Sequence, residues 1–358
     1  MNKKLVIICN SLDRLKLYDK LSFNDNFNGE VYIVTDDRYR NTYKELQRFL
    51  EEETQNTNLR KAKLKLFIRD MYPYIKEKVN PGQYEDALRN MLFTITATSP
   101  IYFCQSPEDI SFIIEDDVVL FKNPEYLMTG LTACSVHNLP KSPEMSEKLK
   151  EFFRFQGPDI FERIGMDEND PDFATNLDKK FGKLIGQATT IWTYLPDYPE
   201  YLRNYLYMPA TIANIEYNRK HGCKLYHRGF TFLVERMVGC FLIGHNARFY
   251  TEDQLTMQDR TYGIYNAKNI AEGNVGAYHY TIISDSYVFK WLPYLIENGF
   301  EKYKEATKGL EETSREAKYR YLDTKLMKGW NTKGKLKERI EKESKKIPFF
   351  LRKKKEEK

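Results

Sequence analysis

Three consecutive acids, Glu115, Asp116 and Asp117, follow an apolar run in this chain. Carboxylates so close together repel one another, and burying them costs desolvation energy. A divalent cation relieves that conflict, because hard oxygen ligands suit Mg²⁺ or Mn²⁺. Side chains alternate along an extended chain, so Glu115 and Asp117 point to one side and Asp116 to the other. We therefore predict that Glu115 and Asp117 form a metal-binding pair.

The acidic triplet also has a purely structural interpretation. Acidic clusters at strand ends are common, and a turn that only caps the next segment would contain the same residue types. Two neighbouring features favour the metal site. The apolar run 112–114 precedes the acids, and Asn123 and Pro124 follow a second apolar run at 118–121.

The acids belong to a repeating pattern of strands and helices. Short apolar, β-branched runs at 4–9, 31–34 and 111–114 predict three buried strands. Helical patterns separate these runs over about the first 140 residues, which predicts crossover units and an α/β fold with a mostly parallel sheet. Asn10, Asp36 and Glu115 follow the three strands. Since ligands bind at the carboxyl ends of such strands, we expect these residues to converge.

Periodicity and turn residues predict the remaining elements. Strands are expected at 118–121, 131–136, 186–192 and 276–283, and helices at 41–53, 61–79, 84–96, 231–243 and 284–298. Pro73 is expected to break or kink the helix at 61–79.

Over residues 4–283 the order of these motifs resembles that of GT-A fold glycosyltransferases. An apolar strand, an acidic D-x-D-like element, a hydrophobic run and Asn-Pro resemble their metal site, with Glu115 where that family usually has Asp. The resemblance implies a Rossmann-like α/β architecture: a mostly parallel central sheet flanked by helices, then a helical C-terminal extension. It also implies Mn²⁺ or Mg²⁺ and a nucleotide-sugar donor, foremost a UDP-sugar. The metal would neutralise the diphosphate leaving group.

The same resemblance implies which residues hold the donor. Those after the first two strands fall where the family binds the nucleotide base and ribose. A basic residue on the helix before the metal strand falls where it could reach the ribose or diphosphate. The implied donor-binding residues are Asn10, Ser11, Asp36, Asp37, Arg89 and Asp116.

A Glu-Arg pair, Glu235 and Arg236, lies in the apolar helix predicted at 231–243. It resembles the "E-R" helix of bacterial polysaccharide-type transferases, and this resemblance implies that Glu235 is the catalytic base of an inverting reaction. Burial on a rigid helix would raise the pKa of Glu235 toward that role. The alternatives are an ordinary exposed Glu-Arg pair and a retaining mechanism.

His279 lies centrally in the late strand predicted at 276–283. The resemblance implies that this histidine is a further metal ligand beside Glu115 and Asp117. A hydrogen-bonded core histidine is the alternative.

Charge is distributed unevenly along the chain. The net charge is +5, yet residues 333–358 alone carry +7, which leaves the rest near neutral at −2. A near-neutral body argues against a surface covered by nucleic acid. Apolar residues among the basic ones at 345–355 suit an anionic membrane surface and a cell-surface or lipid-linked glycan acceptor. A solvated, disordered basic end is the alternative.

Cysteine content and hydropathy bear on location. The five cysteines are odd in number and contain no C-x-x-C pair, so we expect buried thiols in a reducing cytosol. The apolar run at 5–9 is too short for a signal peptide core, and no run approaches the about 20 residues of a membrane span. We expect a cytoplasmic protein that reaches the inner face of the membrane peripherally.

The expected organisation is a catalytic domain at 1–300 and a charged helical extension with a basic tail at 301–358. The domain would contain a nucleotide-sugar-binding half at 1–140 and an acceptor-binding half at 141–300. A composition of 41% hydrophobic and 14% aromatic residues indicates a folded chain and excludes a disordered one.

Three other functions fit parts of the sequence. The enzyme could transfer sugar to modified, hydroxymethylated DNA bases, with the basic tail on phosphates, although no nucleic-acid motif is present. A nucleotidyltransferase would use similar acids but usually has a Gly-rich loop after the first strand, and residues 10–14 contain no glycine. A non-catalytic nucleotide-binding or lectin-like protein would bind the same ligands without turnover.

Overall fold

The computed structural model describes residues 1–37, 40–80, 92–134, 143–181, 186–206, 228–258, 263–280 and 285–310. Its strands are β1 (Asn2–Ile8), β2 (Glu30–Thr35), β3 (Lys63–Leu66), β4 (Asp109–Glu115), β5 (Val118–Leu120), β6 (Thr132–Cys134), β7 (Gly186–Thr193), β8 (Arg248–Phe249), β9 (Leu255–Met257) and β10 (Ala277–His279).

Helices connect and cover these strands. They are α1 (Leu12–Leu21), α2 (Arg40–Arg48), α3 (Thr57–Arg60), α4 (Tyr72–Val79), α5 (Leu92–Phe103), α6 (Pro143–Arg154), α7 (Ile160–Arg163), α8 (Phe173–Phe181), α9 (Tyr198–Leu206), α10 (Arg228–Gly244), α11 (Ala267–Ala271), α12 (Asp285–Asn298) and α13 (Phe300–Ala306). Two π-helical turns, Phe49–Glu53 and Phe67–Met71, and a 3₁₀ turn, Pro124–Tyr126, complete the described helical elements.

A seven-stranded sheet with the order β3-β2-β1-β4-β7-β6-β8 forms the centre of the fold. Strands β3, β2, β1 and β4 are all parallel, whereas β7 runs antiparallel to both of its neighbours. The predicted α/β architecture with a mostly parallel sheet is confirmed. In the register, Ile8 lies opposite both Val34 and Glu115, so β1, β2 and β4 end at one edge of the sheet.

A second, three-stranded sheet has the order β5-β10-β9. Strand β5 follows β4 after the two residues Asp116 and Asp117, and it pairs antiparallel with β10. This pairing sets His279 opposite Val118. A residue late in the chain is therefore brought to the turn that holds the acids.

Both faces of the large sheet are buried. Leu5 and Ile7 of β1 pack into one apolar cluster, and the alternating residues Val6 and Ile8 pack into another. This is why the strands read in the sequence as continuous apolar runs. The two cores fix the sheet edge at which β1, β2 and β4 end.

The structure corrects the predicted helix at 61–79. Residues Lys63–Leu66 instead form the strand β3, followed by the π-helical turn and then α4. The alternating Lys-Leu-Lys-Leu pattern has the period of a strand, and the π-helical turn joins it directly to the helical pattern that follows. Pro73 lies in the first turn of α4, where the missing amide hydrogen costs nothing, so it starts the helix.

By packing, the chain divides into two compact units. One contains residues 1–258 and 266–280, and the other contains 259–265 and 281–358. In the second unit the Tyr287 and Tyr303 hydroxyls lie 2.9 Å apart, and the Ile264 amide donates to the Tyr303 hydroxyl at 3.2 Å. The predicted domain halves and the boundary at residue 300 stay predictions. The basic tail lies outside the described residues.

None of the described helices combines the length and the apolar character that crossing a membrane requires.

Candidate metal and nucleotide site

The acids lie in the connection between β4 and β5. Glu115 ends β4, Asp116 and Asp117 form the turn, and Val118 starts β5. The Tyr280 amide donates to the Asp117 carbonyl at 2.9 Å, which extends the β5–β10 pairing to the turn. Backbone pairing therefore brings His279 to the acids.

Glu115, Asp117 and His279 form the candidate metal site. Each offers a ligand atom, and these atoms lie within 4.8 Å of one another. His279 Nε2 lies 3.1 Å from Asp117 Oδ1, and each side chain is only 9% exposed. Neighbouring ligands of an octahedral cation at about 2.1 Å lie about 3.0 Å apart, so this pair is spaced to share an ion. The three residues predicted as metal ligands thus converge, although their binding of a metal stays a prediction.

Electrostatics couples the buried pair. Burial lowers the pKa of His279, but the Asp117 carboxylate, helped by Glu115, outweighs burial and leaves the pKa above its ordinary value. Burial raises the pKa of Asp117, but His279 and Arg14 together bring it below the ordinary value. The pair is therefore stable as imidazolium and carboxylate, and a metal ion would take the place of the imidazolium proton.

Asp116 is not part of the candidate metal group, and its carboxylate is instead bound by α1 and by the end of β1. Its Oδ1 accepts a hydrogen bond from Arg14 Nη1 at 2.7 Å, and its Oδ2 accepts one from the Asn10 amide at 2.9 Å. Burial raises the pKa of Asp116, the Arg14 charge lowers it, the neighbouring Asp117 raises it, and the net change is upward. Both oxygens of this carboxylate therefore accept hydrogen bonds from within the protein, and binding of the donor by Asp116 stays a prediction.

Asn10 and Ser11 lie just beyond the end of β1. Asn10 Oδ1 accepts from Thr35 Oγ1 at 3.1 Å and from the Asp36 amide at 3.2 Å, which ties the ends of β1 and β2 together. Ser11 is the N-cap of α1, and its hydroxyl accepts from the Arg14 amide at 3.5 Å. Both residues lie at the sheet edge that carries the candidate metal site.

The two acids after β2 have different surroundings. Asp36 is buried, with 1% of its surface exposed. Asp37 accepts from the backbone amides of Ile68 and Arg69, each at 3.1 Å, and so fixes the π-helical turn after β3. Both lie at the same sheet edge as Asn10, and their contact with a nucleotide stays a prediction.

Sequence reasoning missed two residues of this region. Thr96 Oγ1, on α5, donates to Glu115 Oε1 at 3.3 Å and so orients a candidate ligand. Arg14, on α1, pairs with Asp116 and lies 3.9 Å from Asp117. The available signal for Arg14 was its type: a basic residue in the first turn of a helix opposes the helix dipole and needs a reason to be there.

Two predicted functional residues fall outside what the structure describes. Glu235 lies on α10, so the predicted helix is confirmed, but its side chain is not among the described ones. Arg89 lies outside the described residues altogether. Their roles stay predictions.

The prediction of buried, unpaired cysteines is confirmed where it can be checked. Cys9, Cys104 and Cys240 are free and buried. Burial raises the pKa of Cys104 to about 12, which keeps the thiol protonated and unreactive. The other two cysteine side chains, Cys134 and Cys223, are not among the described ones.

Comparison with known proteins gives weak likenesses. No protein-family model matches the chain, and no curated protein matches it. Among solved structures, the apo form of mouse xyloside xylosyltransferase 1 is 11% identical, covers 78% of this chain and 96% of its own, and has a TM-score of 0.36. The galactosyltransferase LgtC, in complex with donor and acceptor sugar analogues, is 7% identical to this chain. The match covers 78% of this chain and 86% of LgtC, with a TM-score of 0.33. An active-site mutant of LgtC is 8% identical to this chain. The match covers 78% of this chain and 86% of the mutant, with a TM-score of 0.34. TM-scores below 0.5 carry no argument, so any assignment of this chain depends on its own site.

Proposed function

We propose that this chain is a metal-dependent glycosyltransferase of the GT-A type, which moves a sugar from a nucleotide diphosphate sugar to an acceptor hydroxyl. The observation that carries the proposal is the convergence of Glu115, Asp117 and His279 within 4.8 Å. This site lies at the edge where β1, β2 and β4 end, which is where α/β sheets bind ligands.

The residues present fit a divalent cation. Asp117 Oδ1 is buried, and among the described residues its partner is the His279 imidazole, whose Nε2 lies 3.1 Å away. A buried carboxylate oxygen of this kind calls for a cation. Two carboxylates with one imidazole suit Mn²⁺ better than Mg²⁺, because nitrogen ligands favour transition metals. We propose that Glu115, Asp117 and His279 hold Mn²⁺, which when bound would neutralise charge on a diphosphate leaving group.

The donor nucleotide, foremost a uridine diphosphate, is proposed to bind beside β1 and β2. The side-chain oxygen Oδ1 of Asn10 accepts from the Asp36 amide, and the side-chain amide nitrogen Nδ2 of Asn10 is proposed to donate to the nucleotide. A nucleobase carbonyl or a ribose oxygen is an acceptor of the right kind. Ser11, Asp36 and Asp37 complete this side of the proposed donor site, and Arg89 is proposed to reach the ribose or diphosphate.

Glu235 is proposed as the catalytic base that takes the proton of the acceptor hydroxyl during an inverting transfer. Its support is the position on α10, next to the fully buried Arg236, on a helix with an apolar core face. A Glu235→Gln variant is expected to keep donor binding and lose transfer. Transfer at the wild-type rate would reject Glu235 as the base.

The acceptor is proposed to be a cell-surface or lipid-linked glycan. The support is the basic, partly apolar composition of residues 333–358, which suits an anionic membrane surface. Full-length chain is expected to float with anionic liposomes, and a chain lacking 333–358 is expected not to. Equal flotation would reject this role, and salt-sensitive DNA binding would favour modified DNA as the acceptor.

The test of the function uses Asp117→Asn in an assay of sugar transfer and donor hydrolysis with added Mn²⁺. Loss of a ligand is expected to reduce turnover at least about 100-fold. Asp172→Asn, an exposed acid on the surface, serves as the matched control and is expected to retain wild-type rates. Undiminished turnover in Asp117→Asn would remove the metal-dependent mechanism, and release of pyrophosphate from the donor would identify a nucleotidyltransferase instead.

A further inference from the structure

We infer that Arg14 is a positioning residue of the candidate metal site, acting through Asp116. It holds the Asp116 carboxylate against α1 and the end of β1, and thereby fixes the turn that directs Asp117 toward His279. Its positive charge also neutralises the negative charge of Asp116, the third carboxylate of the triplet. This inference rests on the proposed function, because it concerns the same site.

The contact between Arg14 and Asp116 is short and largely buried from solvent. Arg14 Nη1 lies 2.7 Å from Asp116 Oδ1, with the two side chains 10% and 11% exposed. The second oxygen of Asp116 accepts from the Asn10 amide at 2.9 Å. One carboxylate is therefore held from the start of α1 and from the end of β1, and we call this arrangement the Arg14–Asp116 clamp.

The place of Arg14 in α1 is unfavourable on its own. Ser11 caps the helix, so Arg14 lies in the first turn, where the helix dipole opposes a positive charge. Arg14 is also only 8% exposed, and arginine is rarely so buried unless it is paired. The contact with Asp116 offsets both the repulsion by the helix dipole and the cost of burying the charge. We therefore attribute the presence of an arginine at this position to the clamp and not to the stability of the helix.

The clamp acts on Asp117 through the shared turn. The Tyr280 amide donates to the Asp117 carbonyl at 2.9 Å, and the Tyr280 hydroxyl donates to the Asp116 carbonyl at 3.4 Å. These bonds hold the backbone of the turn from the side of β10. The Arg14–Asp116 clamp holds it from the side of β1. With both sides fixed, the Asp117 carboxylate lies 3.1 Å from His279 Nε2.

Charge gives the clamp a second consequence. Once Arg14 offsets Asp116, the remaining acids Glu115 and Asp117 carry two negative charges, which match one divalent cation. Arg14 Nη1 lies 3.9 Å from Asp117 Oδ2, close enough for its charge to weaken cation binding directly. Positioning and direct repulsion therefore predict opposite effects when Arg14 is removed. Loss of positioning weakens binding, and loss of repulsion strengthens it.

The experiment measures Mn²⁺ affinity of the purified full chain at one pH for Arg14→Gln, Asp116→Asn, the double variant and Arg14→Lys. Arg14→Gln is expected to weaken Mn²⁺ binding about 10- to 100-fold, as outer residues of metal sites do. The double variant is expected to bind no more weakly than the weaker single variant, because the two residues act as one unit. Arg14→Lys keeps the charge and is expected to recover part of the affinity.

Several outcomes would overturn the inference. Mn²⁺ binding by Arg14→Gln as tight as in wild type, or tighter, would mean that Arg14 does not position the site. If the loss of Mn²⁺ affinity in the double variant equals the product of the losses in the two single variants, Arg14 does not act through Asp116. A lowered unfolding temperature with unchanged Mn²⁺ affinity would reduce the clamp to a structural ion pair. Arg154→Gln, an exposed residue paired with Glu168 at 2.6 Å, is the matched control.

The same measurements separate this inference from the proposed function. If wild type binds no Mn²⁺, or if Asp117→Asn binds it as wild type does, the proposed function fails. If Asp117→Asn abolishes binding while Arg14→Gln leaves it intact, only the role of Arg14 is wrong.

Discussion

At the scale of single residues, three neighbouring carboxylates have two different surroundings. Alternation along an extended chain predicts that Asp116 lies apart from Glu115 and Asp117. In the structure Asp116 and Asp117 form a turn, and the Asp116 carboxylate is paired with Arg14 and is not part of the candidate metal group. The partner of Asp116 could not be predicted, because Arg14 lies 102 positions away and nothing local in the sequence joins the two. The burial of His279 beside Asp117 likewise depends on strand pairing that a sequence pattern does not specify.

The nitrogen ligand leads to a prediction about metal choice. A His279→Ala variant removes the imidazole that favours Mn²⁺, so Mn²⁺ affinity is expected to fall at least about 10-fold while Mg²⁺ affinity changes less. The change is measured by letting Mg²⁺ compete with Mn²⁺ and monitoring the electron paramagnetic resonance signal of free Mn²⁺. His245→Ala is the control, because His245 contacts Asp197 and the Phe241 carbonyl instead of the acids. Unchanged preference in His279→Ala would exclude His279 as a ligand.

At the scale of elements, the sequence predicted most strands of the site but not all their connections. Apolar runs buried on both faces identified β1, β2 and β4, and the residues that follow them do lie at one edge. Strand β3 was missed because its alternating pattern is only four residues long and runs directly into a helical pattern. The pairing of β5 with β10 is a contact between distant segments, and no periodicity encodes it.

Strand β10 depends on close packing at Gly276. A β-carbon there would lie 1.9 Å from the Tyr126 hydroxyl and 2.8 Å from the Gln254 carbonyl oxygen. A Gly276→Ala variant is expected to destabilise the fold by about 1–3 kcal/mol, because backbone as well as a side chain must move. Since His279 lies three residues further, Mn²⁺ affinity is expected to fall too. Denaturant unfolding and Mn²⁺ titration measure both effects.

A second variant separates the two contacts of Gly276. Adding Tyr126→Ala to Gly276→Ala removes the side-chain overlap and leaves the backbone one, so only part of the lost stability is expected to return. Full stability in Gly276→Ala alone would show that the strand tolerates the displacement.

The start of β4 gives a pH prediction. Burial raises the pKa of Asp109, but Lys4 at 2.7 Å and the Gln105 and Ser106 amides outweigh it, so the pKa lies below its ordinary value. A lowered pKa means that the carboxylate stabilises the fold above about pH 4 and loses this effect as the pH falls through the folded-state pKa. Asp109→Asn is expected to cost about 1–3 kcal/mol at pH 7.

The pH dependence itself is the check. The difference in unfolding free energy between wild type and Asp109→Asn is expected to shrink as the pH falls below about 4. Glu30→Gln removes an exposed ion pair with Lys63 and is expected to change stability by less than about 1 kcal/mol. A difference for Asp109→Asn that is constant from pH 7 to pH 3 would contradict the role of its charge.

At the scale of the whole molecule, two apolar cores on opposite faces of the large sheet make its edge rigid. This rigidity matters because a metal site needs its ligands fixed before the ion arrives. The described residues of the second unit, 263–265 and 285–310, have their own tyrosine contacts and contribute none of the candidate ligands. The metal chemistry proposed for the chain therefore belongs to the first unit.

Folding and ligand binding are linked, and the linkage gives a prediction for the whole chain. A ligand present at about 100 times its Kd stabilises the folded state by about 2.7 kcal/mol, which raises Tm by an amount of the order of 5 °C. The diphosphates of uridine, guanosine, cytidine and adenosine are each added with and without Mn²⁺. If the metal bridges the diphosphate to Glu115, Asp117 and His279, one nucleotide, foremost the uridine one, is expected to raise Tm only with Mn²⁺. Asp117→Asn is expected to lose that increase. Equal increases with and without the metal would mean that nucleotide and cation bind independently, which contradicts a shared site.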